Sequence, residues 1–330
     1  MEHLKGVHVF SIHSDNDLFR LDGRESDRYY TAGHYVSFGF GTPVKNKLSS
    51  FILSTPFRKS HSWVEAKITQ QLNTPEILTT PFRQVGDYPY AASLYASIGR
   101  TTLSEREKSR YRTEVILGTI GSHALGMEFQ QSLHSVVSSL YPQGWKNQLP
   151  NQFIFNYDVV VESKIVSLFS KSHLNGFGQL RVGSLYTGLQ VGINLNVFTF
   201  SHSYFNDISF AKPSTKWRAS FSFSPSIKWV GWNSMLQGNP FTNFANDTTY
   251  RIEGSQLYRW VACVNASFSL AKGRHALQFQ QTYLGREFHS SSDRLPAENA
   301  SKSVKEQLFG TIRYSFFLKR QQPQENLVPR

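Results

Sequence analysis

Polar and apolar residues alternate along most of this chain with a period of two. From Lys216 to Trp229 the even positions are Lys216, Arg218, Ser220, Ser222, Ser224, Ser226 and Lys228, while the odd ones include Trp217, Ala219, Phe221, Phe223, Ile227 and Trp229. The same separation sets Leu189, Val191, Ile193, Leu195 and Val197 against Gln190, Gly192, Asn194 and Asn196. It also sets Phe153, Phe155, Tyr157, Val159 and Val161 against Asn156, Asp158 and Glu162. One wet face and one greasy face at this period are the mark of a strand, and runs of roughly ten residues match the span of an outer membrane. Twelve such segments occur, near 7–14, 30–41, 61–72, 90–103, 109–121, 151–168, 174–186, 187–200, 216–230, 258–271, 275–285 and 307–319. Strands of a soluble β-sandwich are nearer five or six residues and show a polar outer face. The pattern predicts an all-β fold, a 12-stranded antiparallel outer-membrane β-barrel.

One stretch breaks the period. Between Gly118 and Leu149, residues Ala124, Leu125, Met127, Phe129, Leu133, Val136, Val137 and Leu140 recur at three- and four-residue intervals, with Glu128, Gln131 and His134 between them. That spacing predicts a helix. With both termini on the periplasmic side, parity places 15–29, 122–150, 231–257 and 286–306 on the outside, so the helix belongs to an extracellular loop. The inner connections 104–108 and 272–274 are short as barrels prefer, whereas 42–60 and 201–215 are longer than that rule expects.

Composition narrows the setting. Aromatic residues make up 14% of the chain within a hydrophobic total of 39%, and no run reaches eighteen apolar residues, so a transmembrane helix is not expected. The net charge of +12 suits solubility, nucleic acid or an anionic lipid surface. No nucleic-acid motif accompanies it, and the basic strands also carry outward aromatics, which points to phosphorylated lipid and away from nucleic acid. The single Cys263 excludes a disulfide framework and a cysteine-ligated zinc site. The chain opens on MEHLKG without an apolar signal core and closes on LVPR, the left half of a thrombin site, so both ends read as processed. Residues 1–320 are expected to form one barrel domain, with 321–330 a tail.

Candidate chemistry sits on the outer loops. Asp15, Asn16 and Asp17, followed by Asp22, Glu25 and Asp27, offer oxygen ligands of the kind calcium takes, although the same residues are ordinary in turns. His123 lies at the proposed helix start, five residues before Glu128, with His134 a competing base. An imidazole titrating near neutrality suits proton abstraction from water, and a lone histidine there also serves as a plain surface or capping residue. No Gly-x-Ser-x-Gly and no His-Glu-x-x-His occurs, so neither a serine-hydrolase elbow nor a zincin motif is present. Aromatic stretches such as Tyr88–Gly99 read as a head-group girdle, and GWKNQL, Gly144–Leu149, as a helix exit.

Taken in order, DNDLF, DRYYTAG, YPYAASLY, GTIGSHALGMEFQQSLH, GWKNQL and SLYTGLQVG resemble the outer-membrane lipid A 3′-O-deacylase family over roughly the first 200 residues, and the last third matches in barrel character. The resemblance implies a twelve-stranded barrel with its site at the outer rim, between wall and loop helix, acting on lipid A of lipopolysaccharide in a calcium-dependent manner like secreted phospholipases of the A2 type. It implies that Asn16 and Asp17 match the acidic motif, Thr31 the Tyr-Thr segment, and His123 and Glu128 the helix-start motif. On that pattern Asp17 and Glu128 hold Ca2+, His123 activates water, and Asn16 and Thr31 belong to the catalytic set. Tyr88 stands where the family commonly has Arg, which leaves Lys67 and Arg83 as the candidates for gripping the glucosamine phosphates, and Asp15 stands where it commonly has Glu. The alternatives are an outer-membrane phospholipase with a Ser/His pair and a non-enzymatic channel or adhesin. A closed barrel without edges is expected to be a monomer.

Overall fold

The computed structural model describes residues 7–22, 29–42, 61–104, 106, 108–137, 141–198, 214–242, 249–289 and 306–319. Residues 320–330 lie outside this set, as do Glu25, Asp27, Leu140 and most of the two long inner connections. Twelve strands close a barrel in which each pairs antiparallel with its sequence neighbours and the first pairs with the last. They are β1 Val7–Asn16, β2 Tyr29–Thr42, β3 His61–Thr74, β4 Ala91–Ser104, β5 Ser109–Ile120 and β6 Gln152–Phe169. The circuit continues through β7 Ser172–Gly183, β8 Tyr186–Val197, β9 Ser214–Asn233, β10 Trp260–Gly273, β11 His275–Leu284 and β12 Gln307–Lys319. All twelve predicted strands are present. No described helix is long and apolar enough to cross a membrane, and the strands do the crossing.

Alternation decides which side chains meet lipid. Leu189, Val191 and Ile193 on β8 and Phe221, Phe223, Ile227 and Trp229 on β9 all point outward and are exposed. The opposite parity fills the lumen with polar contacts such as Ser11 Oγ to Ser315 Oγ at 2.8 Å, Ser222 Oγ to Asn196 Oδ1 at 3.0 Å and Asn175 Nδ2 to Glu162 Oε1 at 2.8 Å. Charges taken out of bulk water need partners, and the lumen provides them. Lys67 Nζ lies 2.6 Å from Glu114, Arg112 bridges Glu114 at 3.0 Å and Glu65 at 3.2 Å, and Arg110 reaches Glu162 at 2.6 Å. The glycine at Gly39 makes room for Trp63, whose ring lies 2.5 Å from where a Cβ would sit.

Two boundaries differ from the sequence pattern for physical reasons. β1 runs on to Asn16, so Asp15 belongs to a strand and faces the lumen, where it accepts from Tyr30 Oη at 3.0 Å and Thr311 Oγ1 at 2.6 Å and pairs with His13 Nε2 at 2.6 Å. The predicted helix over Gly118–Leu149 is three shorter pieces. Gly118 to Ile120 complete β5, a 3-10 turn covers Ser122–Ala124, α1 spans only Gly126–Val137, and a second 3-10 turn covers Gly144–Asn147. The positive φ of Gly121 and Leu125, 100° and 56°, breaks the helix at its front.

Described outer loops pack against one another at the outer mouth. Tyr88 from the β3–β4 connection packs with Leu236, Ile252, Leu257 and Phe288 from the β9–β10 and β11–β12 connections. Leu236 belongs to a one-turn helix, α2, Ser234–Gln237. Tyr88 Oη donates to Glu287 Oε2 at 3.0 Å, and Gln307 Nε2 donates to the same oxygen at 3.1 Å. Burial outweighs these donors and the nearby Lys228, and holds the Glu287 carboxyl above the ordinary glutamate range. A raised native pKa contributes stability that is complete below the unfolded pKa and is lost as pH rises through the native one. Hydrogen exchange of residues 84–90 and 286–289 is therefore expected to accelerate from pH 5 to pH 8 in the native protein more than in Glu287→Gln. Equal pH responses would show that this carboxyl does not control the mouth.

Candidate active site

The helix of the extracellular loop lies on the lipid-facing side of the wall, not in the lumen. Ala32, Leu72 and Ala92 stand in register on β2, β3 and β4 and point outward, yet they are 2%, 0% and 0% exposed. They are covered by Leu78, Tyr90, Ala124 and Trp145, with Leu94, Met127 and Phe129 packed around them. Gly126 opens α1 at the tightest point, where a Cβ would lie 2.4 Å from Ala92 Cβ and 2.8 Å from Leu72 Cδ2. Trp145 Nε1 donates to Gln130 Oε1 at 2.7 Å, so the buried indole is satisfied and ties the second 3-10 turn to α1.

The 3-10 turn carrying His123 is held from both sides. Gln70, pointing outward from β3, donates from Nε2 to the Ala124 carbonyl at 2.7 Å and to the Leu125 carbonyl at 3.3 Å. Asn151, just before β6, accepts the His123 backbone N–H on Oδ1 at 2.9 Å and donates from Nδ2 to Ser122 Oγ at 2.9 Å. Gly121 N donates to the Ala92 carbonyl at 2.9 Å and anchors the turn to the wall. The backbone is fixed while the His123 side chain stays exposed. Glu128 is exposed in the first turn of α1. His134, the competing base, is only 5% exposed, so its imidazole is shielded from a substrate that His123 meets freely.

Asn16 pairs with Ala32, which places it on the rung that continues through Leu72 to Ala92 beneath the helix. At about 4.8 Å per strand, the rim position of Asn16 is on the order of 10 Å from Leu72. Asn16 caps the 3-10 turn Asp17–Phe19 by accepting the Leu18 N–H at 2.7 Å, and Asp17 is buried at its start. Asn16, Asp17, His123 and Glu128 thus belong to one sector of the outer rim. The backbone of Thr31 lies in that sector too, at an irregularity between Tyr30 and Ala32 where the β2–β3 register shifts.

Two candidates stand elsewhere. Lys67 is in register with Ser37 and Ser97, well below the rim, and its parity turns it into the lumen, where it pairs with Glu114 and lies 5.7 Å from the Tyr35 ring centroid. A head group in the outer leaflet does not meet it. Arg83 is exposed in the β3–β4 connection, on the outer side of the barrel. Of the acidic cluster in the first loop, Asp15 faces the lumen and Asp22 pairs with Arg20.

Among the described residues, no three His, Cys, Asp or Glu side chains come together as a metal cage. Calcium does not require one, since it takes carboxylate and carbonyl oxygens from flexible sets. The rim sector supplies carboxylates from two separate elements, Asp17 on a buried turn and Glu128 on α1, and these oxygen donors fit a hard cation.

The Asn151 clamp is open to test. Removing its side chain frees the His123 N–H and the Ser122 hydroxyl, and misplacement of a catalytic group by about 1 Å costs on the order of 100-fold in rate. Asn151→Ala is expected to lower kcat with KM little changed, while Asn151→Asp, which keeps the acceptor, retains more of the rate. Equal rates for the native protein and both variants would remove Asn151 from the site.

The comparisons bear on the family and the fold. A family model described as outer membrane protein LpxR matches residues 4–302. The chain belongs to the LpxR family. The match runs well beyond the first 200 residues that carry the sequence resemblance. LpxR from Salmonella typhimurium has the same fold, with a TM-score of 0.71 at 17% identity over 94% of this chain and 100% of that one. The β domain of the Bordetella autotransporter BrkA gives 0.41 at 8% identity over 94% and 98% of the two chains. OprB from Pseudomonas putida gives 0.34 at 7% identity over 94% and 93%. No curated protein sequence matches. The protein is an outer-membrane β-barrel of the LpxR family.

The sequence pattern does not single out Gln70, Asn151 or Gln130. Gln70 reads as one more polar residue of a strand, and only the helix on the lipid side explains a polar residue facing outward there. The one available signal for Asn151 is an Asn directly after Pro150, which marks a turn.

Proposed function

We propose that this protein is an outer-membrane esterase that removes the 3′-O-linked acyl group of lipid A. The observation that carries the reading is His123, exposed yet fixed by its backbone, on a turn pressed to the lipid-facing wall. A lipid A molecule in the outer leaflet reaches this turn laterally. Below the helix, Val36, Phe38, Ile68 and Ile98 point outward on neighbouring strands and are exposed, an apolar track for acyl chains. In this reading the exposed Arg83 of the outer β3–β4 connection grips the glucosamine phosphate.

In this reading His123 takes a proton from a water molecule as that water attacks the ester carbonyl, and later returns it to the departing sugar oxygen, giving a free fatty acid and a free hydroxyl. Asp17 and Glu128 would hold a calcium ion, which would supply polarisation of the ester carbonyl and stabilisation of the developing oxyanion. Asn16 fixes the turn that presents Asp17, and Thr31 belongs to the same rim. Closure leaves no strand edge to pair, and we read the working unit as a monomer.

The phospholipase reading needs a serine activated by histidine. Ser122, next to His123, is engaged by Asn151 instead. A channel reading meets the loops packed at the outer mouth and the ion pairs of the lumen. The experiment that tests the proposal is incubation of the detergent-folded protein with lipid A after treatment with a serine-directed reagent. Undiminished fatty-acid release is expected, and inactivation with covalent labelling would favour the phospholipase.

A further inference from the structure

The four strands β9 to β12 contain no Asp or Glu, whereas they carry Lys216, Arg218, Lys228, Lys272, Arg313 and Lys319, with Arg274 in the β10–β11 turn. At the inner end of this sector, part of that charge faces lipid. Lys272 Nζ lies 5.1 Å from the ring centroid of Trp217, which is itself 67% exposed. The Arg274 guanidinium lies 5.9 Å from the Phe316 ring, and His275 Nδ1 is 2.6 Å from Tyr314 Oη. Parity points Trp217, Lys272, His275, Tyr314 and Phe316 away from the lumen. Among the described residues, neither Lys272 nor Arg274 forms an ion pair with a carboxylate.

Depth fixes what this patch meets. Trp217 and Trp229 mark opposite ends of β9, and Trp229 pairs with the exposed Trp260 on β10. At roughly 3.3 Å per residue and a tilt near 40°, the two tryptophan levels are about 30 Å apart along the membrane normal, the thickness of a hydrocarbon core. The Trp217 level is at the end where β1 begins, β12 ends and the tight β10–β11 turn lies, the periplasmic side of such a barrel. Cations with aromatic faces beside them, at head-group height and without a nearby carboxylate among the described residues, match a phosphate with a net negative charge. A zwitterionic head group gains less, because no acidic side chain in these strands meets its ammonium.

We propose that the inner rim of β9–β12 is a binding surface for an anionic glycerophospholipid of the periplasmic leaflet, with Lys272 and Arg274 on its phosphate and Trp217, Tyr314 and Phe316 against its glycerol and upper acyl carbons. The surface is on the opposite leaflet from the His123 turn, and the proposal does not depend on what that turn hydrolyses. It would fix the depth and tilt of the barrel.

The test is native mass spectrometry of the folded full chain released from mixed micelles containing phosphatidylglycerol and phosphatidylcholine in equal amounts. Native protein is expected to retain phosphatidylglycerol preferentially. Each cation contributes about five-fold, so Lys272→Gln with Arg274→Gln removes most of the preference while heat-modifiability on gels shows an intact barrel. Trp217→Leu is expected to lower retention of the same lipid. Equal retention of both lipids by the native protein, or an unchanged preference in the double variant, would overturn the proposal.

Discussion

His123→Ala is expected to abolish acyl release from lipid A while leaving the barrel folded and heat-modifiable. General acid–base groups contribute about 10²- to 10⁴-fold, so the loss falls in or beyond that range once proton return to the leaving oxygen is also impaired. The fold does not depend on the imidazole. The His123 side chain is exposed, and the turn is held through backbone groups of residues 121, 123, 124 and 125 and through the Ser122 hydroxyl. His134→Ala is the matched control. That side chain is buried on α1, so its removal is expected to loosen the helix without a selective loss of the chemical step. An active His123→Ala protein would take the base role away from this turn.

The second large effect concerns the carboxylates. Asp17→Ala and Glu128→Gln are each expected to cost at least ten-fold in activity at a fixed calcium concentration, because in the proposed mechanism each would weaken the oxygen ligand set of the cation. The two variants differ in a readable way. Glu128 is exposed at the first turn of α1, so its substitution leaves packing untouched, and added calcium is expected to restore part of the rate. Asp17 is 4% exposed within a turn capped by Asn16, so its loss also disturbs the rim and is less easily rescued. Full restoration of Asp17→Ala by excess calcium would make it a secondary ligand. Activity of the native protein that never responds to chelators would remove the metal from the mechanism.

Much of this fold is legible because a barrel strand has to alternate. Lipid on one side and a polar lumen on the other force the two-residue period along β8 and β9, and their outward residues follow directly. The loop helix is harder to read. Leu72 and Ala92 look like ordinary outward strand residues and Ala124 like a helix position, and nothing along the chain says that they bury one another. Three- and four-residue spacing also joined the end of β5, two 3-10 turns and α1 into one apparent helix, since the backbone breaks at Gly121 and Leu125 leave the apolar spacing intact. His123, Glu128, Asn16 and Asp17 were visible through the ordered motifs. Lys67 shows the converse, because a basic residue reads alike whether it faces lipid or lumen, and only the register with Ser37 and Ser97 and the contact with Glu114 decide.

Tyr88 and Tyr90 show how the mouth and the site connect. Tyr88 packs in the outer mouth and donates to Glu287, while Tyr90, two residues on, packs its ring at a tilt against Trp145, 5.1 Å between centroids, beneath the helix on the other side of the wall. One short segment therefore braces both structures.

The most direct test of the account is mass spectrometry of purified lipid A after incubation with the detergent-folded protein, in calcium and in chelator. Loss of the mass of the 3′-O-linked acyl group with calcium, and none with chelator, is the predicted result. Intact lipid A under both conditions, with glycerophospholipid cleaved in its place, would contradict it.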